Sequence, residues 1–120
     1  MGFGQAIAAG FSNYFNFKDR STRSAYWYFV LFLVIGGFIT GIADVFLFQP
    51  QYVGPINGIF SVATIIPSLS VSVRRLHDIG RTGWWVLLAL IPIIGWIVLI
   101  VWACQPTDPQ TNAYGPPPTA

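Results

Sequence analysis

The stretch YWYFVLFLVIGGFITGIADVFLF, residues 26–48, decides the fold class of this chain. Its 23 residues include one charged side chain, Asp44, and would form a helix about 35 Å long. A hydrocarbon core about 30 Å thick needs roughly 17 to 25 such residues. Two further apolar runs, 56–73 and 84–104, also qualify by length. Because an isolated strand leaves its backbone polar groups unpaired in lipid, we predict an all-α membrane protein with three transmembrane helices.

The composition of the whole chain excludes most other classes of protein. Of its 120 residues, 54% are hydrophobic and only 8% are charged, whereas a soluble domain carries about 25% charged residues. Intrinsic disorder requires the opposite composition. Because the chain has one cysteine and one histidine, we expect no internal disulfide, no metal site and no cofactor. We predict a single membrane domain, residues 1–120, whose few cations serve membrane topology rather than nucleic-acid binding.

The cations indicate how the chain is oriented. All six Lys and Arg residues lie in two segments, 18–23 and 74–81. Neither the connection 49–55 nor the tail 105–120 contains one. The positive-inside rule therefore places both cationic segments and the amino terminus in the cytoplasm, and the carboxyl terminus on the extracytoplasmic side. Aromatic residues that begin the first and third spans are predicted interfacial anchors: Tyr26, Trp27, Trp84 and Trp85.

The third run contains an interruption, Pro92 to Gly95, which leaves two paths open. The run either crosses the membrane once with a kink or dips in and returns, and a return would keep the tail in the cytoplasm. Because each half would contain only about ten residues, too few to span, we favour the single crossing. This path places Cys104 at the membrane face opposite the cationic segments.

The two ends of the chain are predicted to lie outside the spans. Apolar side chains recur at helical spacing in residues 3–17, which predicts an amphipathic helix lying in the interface. A frayed end is the alternative, because Gly2, Gly4 and Gly10 lower helix propensity. The proline-rich segment 105–120 is expected to be extended and partly disordered.

The loop after the second span, residues 74–83, contains three arginines, one histidine and one aspartate. Arg74 and Asp78 are four residues apart and are predicted to pair on one helix face, which would leave Arg75 or Arg81 to face a phosphate group. The alternative is a topology signal with ordinary loop salt bridges. We expect no enzymatic activity, because no nucleophile is predicted within reach of His77. The candidate site for anionic lipid headgroups or a partner protein comprises Arg20, Arg23, Arg74, Arg75, His77, Asp78 and Arg81.

Polar and small residues also occur within the spans. A polar stripe follows one face of the second span and consists of Asn57, Ser61, Thr64, Ser68 and Ser72. Such residues let helices approach closely, line a polar path in an oligomer, or donate back to their own helix. Gly37 and Gly41 suit a neighbouring helix of the same chain or of a second copy, so a homo-oligomer is among the predicted assemblies. Asp44 is expected to be a hydrated carboxylate near the outer interface, and a buried, proton-carrying carboxylate is the alternative.

Three segments resemble a known family: FKDRSTRSAYW at 17–27, RRLHDIGRTGWW at 74–85 and IPIIGW at 91–96. Together they are similar to the YhaH-like family of small bacterial inner-membrane proteins, the domain of unknown function 805. The resemblance implies a protein of the bacterial cytoplasmic membrane and carries over no established activity. The chain departs from the family pattern at Asp19, where glycine is usual, and at Ala113, where arginine is usual.

The sequence supports three functional hypotheses. We favour a non-enzymatic binding or accessory component whose cytoplasmic loop meets membrane lipids or a partner. The alternative is an oligomeric small transporter or channel subunit that uses the polar stripe. The third is a membrane enzyme acting on lipid phosphates, with His77 as its acid or base.

Overall fold

The computed structural model describes residues 2–48 and 54–118. The segment 49–53, which we predicted as part of the outer turn, and the last two residues of the tail lie outside this range. The described residues form four α-helices and one 3-10 helix, with an isolated bridge between Asn112 and Gly115. In chain order these are α1 (Phe3–Ser12), α2 (Arg23–Leu47), α3 (Pro55–Asp78), the 3-10 helix (Gly83–Leu90) and α4 (Ile94–Ala103).

Helices α2 and α3 are the two elements long and apolar enough to cross a membrane within the described ranges. They contain 25 and 24 residues, and they form the centre of the molecule by packing against each other. Only 6% of the most apolar part of α2 is buried inside the protein. A core helix of a soluble protein would be mostly buried, so the exposed apolar surface of α2 fits lipid rather than water.

The beginnings of both long helices follow from local chemistry. The Thr22 side chain caps α2 by accepting a hydrogen bond from the Ala25 amide at 3.2 Å. Helix α3 starts with Pro55 in its first turn, where the missing N–H has no helical partner to lose. Pro67 lies inside α3 and is fully buried. Helix α3 continues beyond the predicted run 56–73 as far as Asp78, which carries the polar residues onward in helical conformation.

The third apolar run does not form the continuous helix that we predicted over 84–104. It divides into the 3-10 helix of eight residues and α4 of ten residues, and the two double back on each other. The rings of Trp85 and Trp102, near the two ends of the run, lie 5.6 Å apart. Near the tip, Trp96 Nε1 donates to the Ala89 carbonyl at 2.8 Å. The favoured single crossing is therefore wrong for this structure, and the run is a hairpin whose halves are too short to span.

The tip of the hairpin is a tight turn at the predicted interruption. Ile93 adopts φ 68° and ψ −68°, and the Ile94 amide donates to the Pro92 carbonyl at 2.8 Å. This is the geometry of a classic γ-turn, which is rare and strained for a β-branched residue. Gly95 follows directly and lies against the backbone carbonyl of Leu88, so that a side chain at position 95 would collide with it. The absence of a side chain at Gly95 permits the two halves to approach closely.

Helix α1 packs along the first half of α2. Phe11 contacts Phe29 and Phe32 edge-on, with ring centroids 5.9 and 5.8 Å apart. Gly10 lies directly against the Phe29 ring and leaves no room for a larger residue. The helix ends at Ser12, earlier than the predicted boundary at residue 17. Its amphipathic interfacial position stays a prediction.

Candidate functional site: a buried charge cluster closed by the tail

Asp78, the last residue of α3, is the centre of a buried cluster of charged side chains. Its Oδ1 accepts a hydrogen bond from Arg20 Nε at 3.1 Å, and its Oδ2 accepts one from Arg75 Nη1 at 2.7 Å. The Asp78 and Arg75 side chains are 0% and 2% exposed. A buried carboxylate needs such partners, because an unpaired charge away from water is strongly unfavourable. We call Arg20, Arg75 and Asp78 the charge cluster.

The guanidinium group of Arg20 uses all five of its N–H donors within the protein. Besides Asp78 Oδ1, its acceptors are four backbone carbonyls, those of Asp78, Asp108, Gln110 and Gly115, at 2.7 to 3.2 Å. Three of these carbonyls belong to the carboxyl-terminal tail. Arg20 therefore ties the loop before α2 to the end of α3 and to the tail.

The two arginines at the end of α3, Arg74 and Arg75, are also engaged in hydrogen bonds. Arg75 donates to the carbonyls of Ala103 and Gln105 at the end of the hairpin. Arg74 donates to Ser21 Oγ and to two carbonyls of the segment after α1. The predicted pairing of Arg74 with Asp78 is wrong, because Arg20 approaches Asp78 from a distant part of the chain. Of the two arginines predicted to face a phosphate group, Arg75 does not do so, because its donors bind Asp78 and the carbonyls of Ala103 and Gln105. For Arg81 this stays a prediction.

The tail folds over the charge cluster rather than extending away from it. The Asp108 amide donates to the Asp78 carbonyl at 3.2 Å, and Asn112 Nδ2 donates to the His77 carbonyl at 3.0 Å. The Tyr114 ring stacks on the His77 ring, with centroids 3.8 Å apart and an interplanar angle of 1°. Our expectation of an extended, partly disordered tail is therefore corrected for the described residues 105–118.

These contacts place the start of α2, the end of α3 and the tail at one end of the α2–α3 pair, which we call the cationic end. Arg23 Nη1 donates to the Cys104 carbonyl at 3.0 Å, and Trp27 Nε1 donates to the Ala103 carbonyl at 3.0 Å. The prediction that Cys104 and the tail lie at the face opposite the cationic segments is contradicted. The reason is the hairpin, which returns the chain to the end from which it departed.

Three cations of the cationic end remain accessible. Lys18 and Arg23 are exposed, and Arg81 is half-buried with its guanidinium carbon 4.1 Å from the centre of the Trp102 ring. Among the predicted anchors, Trp84 is 79% exposed and Trp85, which contacts Trp102 within the hairpin, is 45% exposed. Trp27 donates to the Ala103 carbonyl at the end of the hairpin. Tyr26 is half-buried. Of the seven candidate site residues, Arg20, Arg74, Arg75, His77 and Asp78 are buried, which leaves Arg23 and Arg81 available to an external group.

The polar stripe on α3 satisfies most of its hydrogen bonds within the protein. Thr64, Ser68 and Ser72 each donate to the carbonyl four residues earlier in α3. Asn57 instead donates to α2, at the Gly37 carbonyl and at Thr40 Oγ1. Together with Ser61, the three hydroxyl residues line an open groove of about 520 Å³ between α2 and α3.

Asp44 has a structural role that was not predicted from the sequence. Its carboxylate is buried and accepts hydrogen bonds from the Ile56 and Asn57 amides at 3.0 and 2.9 Å, so it caps the start of α3. Gly54 lies directly against this carboxylate. The sequence contained a signal for this cap, since Asp44 lies in the last part of one apolar run and a Gly-Pro helix start begins the next, ten residues later.

The described residues contain no group of His, Cys, Asp or Glu side chains suited to a metal ion. The fold and the charge cluster define an all-α protein with two helices long and apolar enough to span a membrane, and with the ion pairs of its described residues at one end. The family described as "Protein of unknown function (DUF805)" matches residues 14–116, and the chain belongs to this family.

Two relatives extend the comparison. The chain is 40% identical over 108 residues to Inner membrane protein YhaH of Escherichia coli (strain K12). The aligned region covers 88% of this chain and 89% of that protein. It is 37% identical over 107 residues to Inner membrane protein YhaI of the same strain, with 88% of each chain covered. No solved structure matches the chain. The protein is thus an inner-membrane protein of an uncharacterised bacterial family, and neither the family description nor these names give an enzymatic activity.

Proposed function

We propose that the protein is a non-enzymatic binding or accessory component of the bacterial cytoplasmic membrane, whose cationic end contacts anionic lipid headgroups. The observation that carries this proposal is that the cations fall into a buried, hydrogen-bonded set and an accessible set. The buried set, which donates to acceptors within the protein, comprises Arg20, Arg74 and Arg75. The accessible set lies around the base of the hairpin and comprises Lys18, Arg23 and Arg81. The buried set fixes the architecture, and the accessible set meets the headgroups.

Neutralising the accessible cations tests this proposal. We expect the combined variant Lys18→Gln, Arg23→Gln and Arg81→Gln to lose its preference for phosphatidylglycerol over phosphatidylcholine by roughly a hundredfold, because each cation near an anionic surface contributes about 1 kcal/mol. Native mass spectrometry of protein extracted from mixed-lipid nanodiscs measures the retained lipids. The matched control, Lys18→Arg with Arg23→Lys and Arg81→Lys, keeps the charge and should keep the preference. An unchanged preference in the neutralised variant would contradict the proposal.

The proposal includes a membrane orientation. We infer that the cationic end faces the cytoplasm, because the positive-inside rule applies to the segments 18–23 and 74–81. Reporters fused after Ala120 of the full chain and inserted after Gln51 should then give opposite results, with alkaline phosphatase active only at the second position. A phosphatase active at the carboxyl terminus would contradict this orientation.

One observation favours the alternative of an oligomeric transporter or channel subunit. The groove lined by Ser61, Thr64, Ser68 and Ser72 is open in the single chain. Gly37 and Gly41 have no atom within 4 Å of the place where a Cβ would stand, apart from their immediate backbone surroundings, among the described residues. A second copy packed on this face would close the groove, and reconstituted flux that is lost when Ser61, Thr64 and Ser68 become Ala would favour this alternative.

A further inference from the structure

A second feature of the cationic end is an apolar groove of about 460 Å³ between α3 and the 3-10 helix. Leu69 and Val73 of α3 form one wall, and residues of the 3-10 helix form the other, with Phe17 at one side. The opposing wall comprises Trp84, Val86 and Leu87. The lining contains one ionisable side chain, His77, and no Lys or Arg of the described residues. We call this surface the His77 groove.

The imidazole of His77 is held in one orientation. Its Nδ1 lies 3.2 Å from the Lys18 carbonyl and 3.1 Å from the Asp19 carbonyl. Because carbonyl oxygens only accept hydrogen bonds, Nδ1 must carry the hydrogen. The Tyr114 ring stacks on the imidazole and further restricts it. In the neutral ring, Nε2 therefore carries a lone pair that can only accept.

That lone pair is available to a ligand. His77 is 95% buried, since its exposed fraction is 5%, and Nε2 has no hydrogen-bond partner among residues 2–48 and 54–118. A Cβ at Gly83, which also lines the groove, would stand 3.5 Å from Nε2. Nε2 thus faces the His77 groove across a residue that has no side chain to cover it.

The groove has an amphipathic layout that matches a lipid. Leu69, Val73 and His77 are four residues apart on one face of α3, so the groove runs about 12 Å from its apolar end to its polar end. The polar atom lies at the cationic end, and the apolar walls continue along the spanning part of α3. An occupant needs an apolar body and a hydrogen-bond donor at headgroup level. A phosphodiester has no hydrogen to donate and would find no cation in the lining.

We propose that the His77 groove binds the hydroxyl group of a membrane lipid, with the hydroxyl donating to Nε2 of His77 and the apolar chain lying along Leu69 and Val73. The hydroxyl belongs to an uncharged lipid such as diacylglycerol, because the lining formed by the described residues offers no cation to the phosphodiester of a phosphatidylglycerol headgroup. This surface is separate from the accessible cations of the proposed function, whose side chains do not line it, so the two proposals can fail independently.

The single histidine of the chain makes a direct test available. Protein labelled with 15N-histidine is placed in nanodiscs of phosphatidylcholine alone, or with added dioleoylglycerol, phosphatidylglycerol or phosphatidylmethanol. We expect the unprotonated Nε2 resonance to move to lower frequency with dioleoylglycerol, while the Nδ1 resonance stays in place. Phosphatidylmethanol, an anionic lipid without a hydroxyl, should leave Nε2 unchanged. An Nε2 resonance that moves equally with phosphatidylglycerol or phosphatidylmethanol, or that does not move with dioleoylglycerol, would overturn the proposal.

Two variants on the 3-10 helix control for indirect effects and keep His77 intact. Leu87→Trp fills the groove and should abolish the response of Nε2 to hydroxyl lipids. Leu90→Trp is the matched control, because Leu90 is 79% exposed and does not line the groove, and it should keep the response. Equal responses in the two variants would place the lipid elsewhere and overturn the assignment.

A third variant measures how much the hydrogen bond contributes. His77→Asn keeps a donor near the position of Nδ1 and removes Nε2. In native mass spectrometry it should retain about fivefold less of the responding lipid than the parent protein, the ratio that one net hydrogen bond supports. Equal retention in a variant that unfolds at the parent temperature would count against the proposal.

Discussion

Asp78→Asn is expected to lower the free energy of unfolding by about 3 to 5 kcal/mol, the range measured when one partner of a buried ion pair is removed. Both carboxylate oxygens accept from guanidinium groups, Oδ1 from Arg20 and Oδ2 from Arg75. An asparagine would turn an NH₂ group toward one of these donors and would leave two buried cations without a counter-charge. Thermal unfolding in detergent, followed by the near-ultraviolet circular dichroism of the tryptophans, measures the change.

The matched control is the same substitution at an exposed carboxylate. Asp19 is exposed and its side chain accepts one hydrogen bond, from Asn16 Nδ2 at 2.8 Å. Asp19→Asn should change the free energy of unfolding by about 0.5 kcal/mol or less, as surface substitutions usually do. If Asp78→Asn were as mild as Asp19→Asn, the charge cluster would not hold the fold together.

Gly95→Ala is expected to open the hairpin formed by the 3-10 helix and α4. A methyl group at this position collides with the backbone carbonyl of Leu88, which cannot rotate away as a flexible side chain would. Overpacking of this kind costs about 3 kcal/mol. Spin labels at exposed positions 87 and 100, one in each half, should report a longer distance in the variant than in the parent protein.

Two glycines in α2 provide the control for a glycine-to-alanine change. Gly41 lies in α2, and a Cβ added there meets nothing within 4 Å. Gly41→Ala should leave the hairpin distance unchanged and should raise helix stability slightly, since alanine is the better helix former. Gly37 offers a repeat of the same control. A hairpin distance that stays the same in Gly95→Ala would show that the close approach at Leu88 does not hold the turn.

The sequence predicted the long helices because length and apolar composition are local properties. The run 56–73 lies within α3, and the run 26–48 lies within α2 except for its last residue, Phe48. The path of the third run, 84–104, was harder to predict, because an apolar segment of this length can either cross a membrane or fold back on itself. What decides its path is the turn at Ile93 with the close contact at Gly95. The interruption at Pro92 to Gly95 marked this position, but it gave no measure of how tightly the chain would turn.

The residues of the site were predicted from the sequence, but most of their hydrogen-bond partners were not. The residues of the charge cluster were all among the candidates, since arginine and aspartate beside an apolar run need partners. Helical spacing, however, ranks only local pairs, and it favoured Arg74 as the partner of Asp78. The actual partner, Arg20, is 58 residues away in sequence. The tail was missed for a related reason, because it contributes mainly backbone carbonyls, which every sequence contains.

The bond between Arg20 and the carbonyl of Gly115 joins residues 95 positions apart in the chain. Arg20 leaves the ribosome early in synthesis, whereas its acceptors at Asp108, Gln110 and Gly115 leave it nearly last. A nascent chain can therefore insert its long helices well before the tail covers the charge cluster. A chain that ends before residue 108 keeps its apolar helices but leaves the charge cluster exposed to water. A membrane protease could use this difference to distinguish incomplete chains from complete ones.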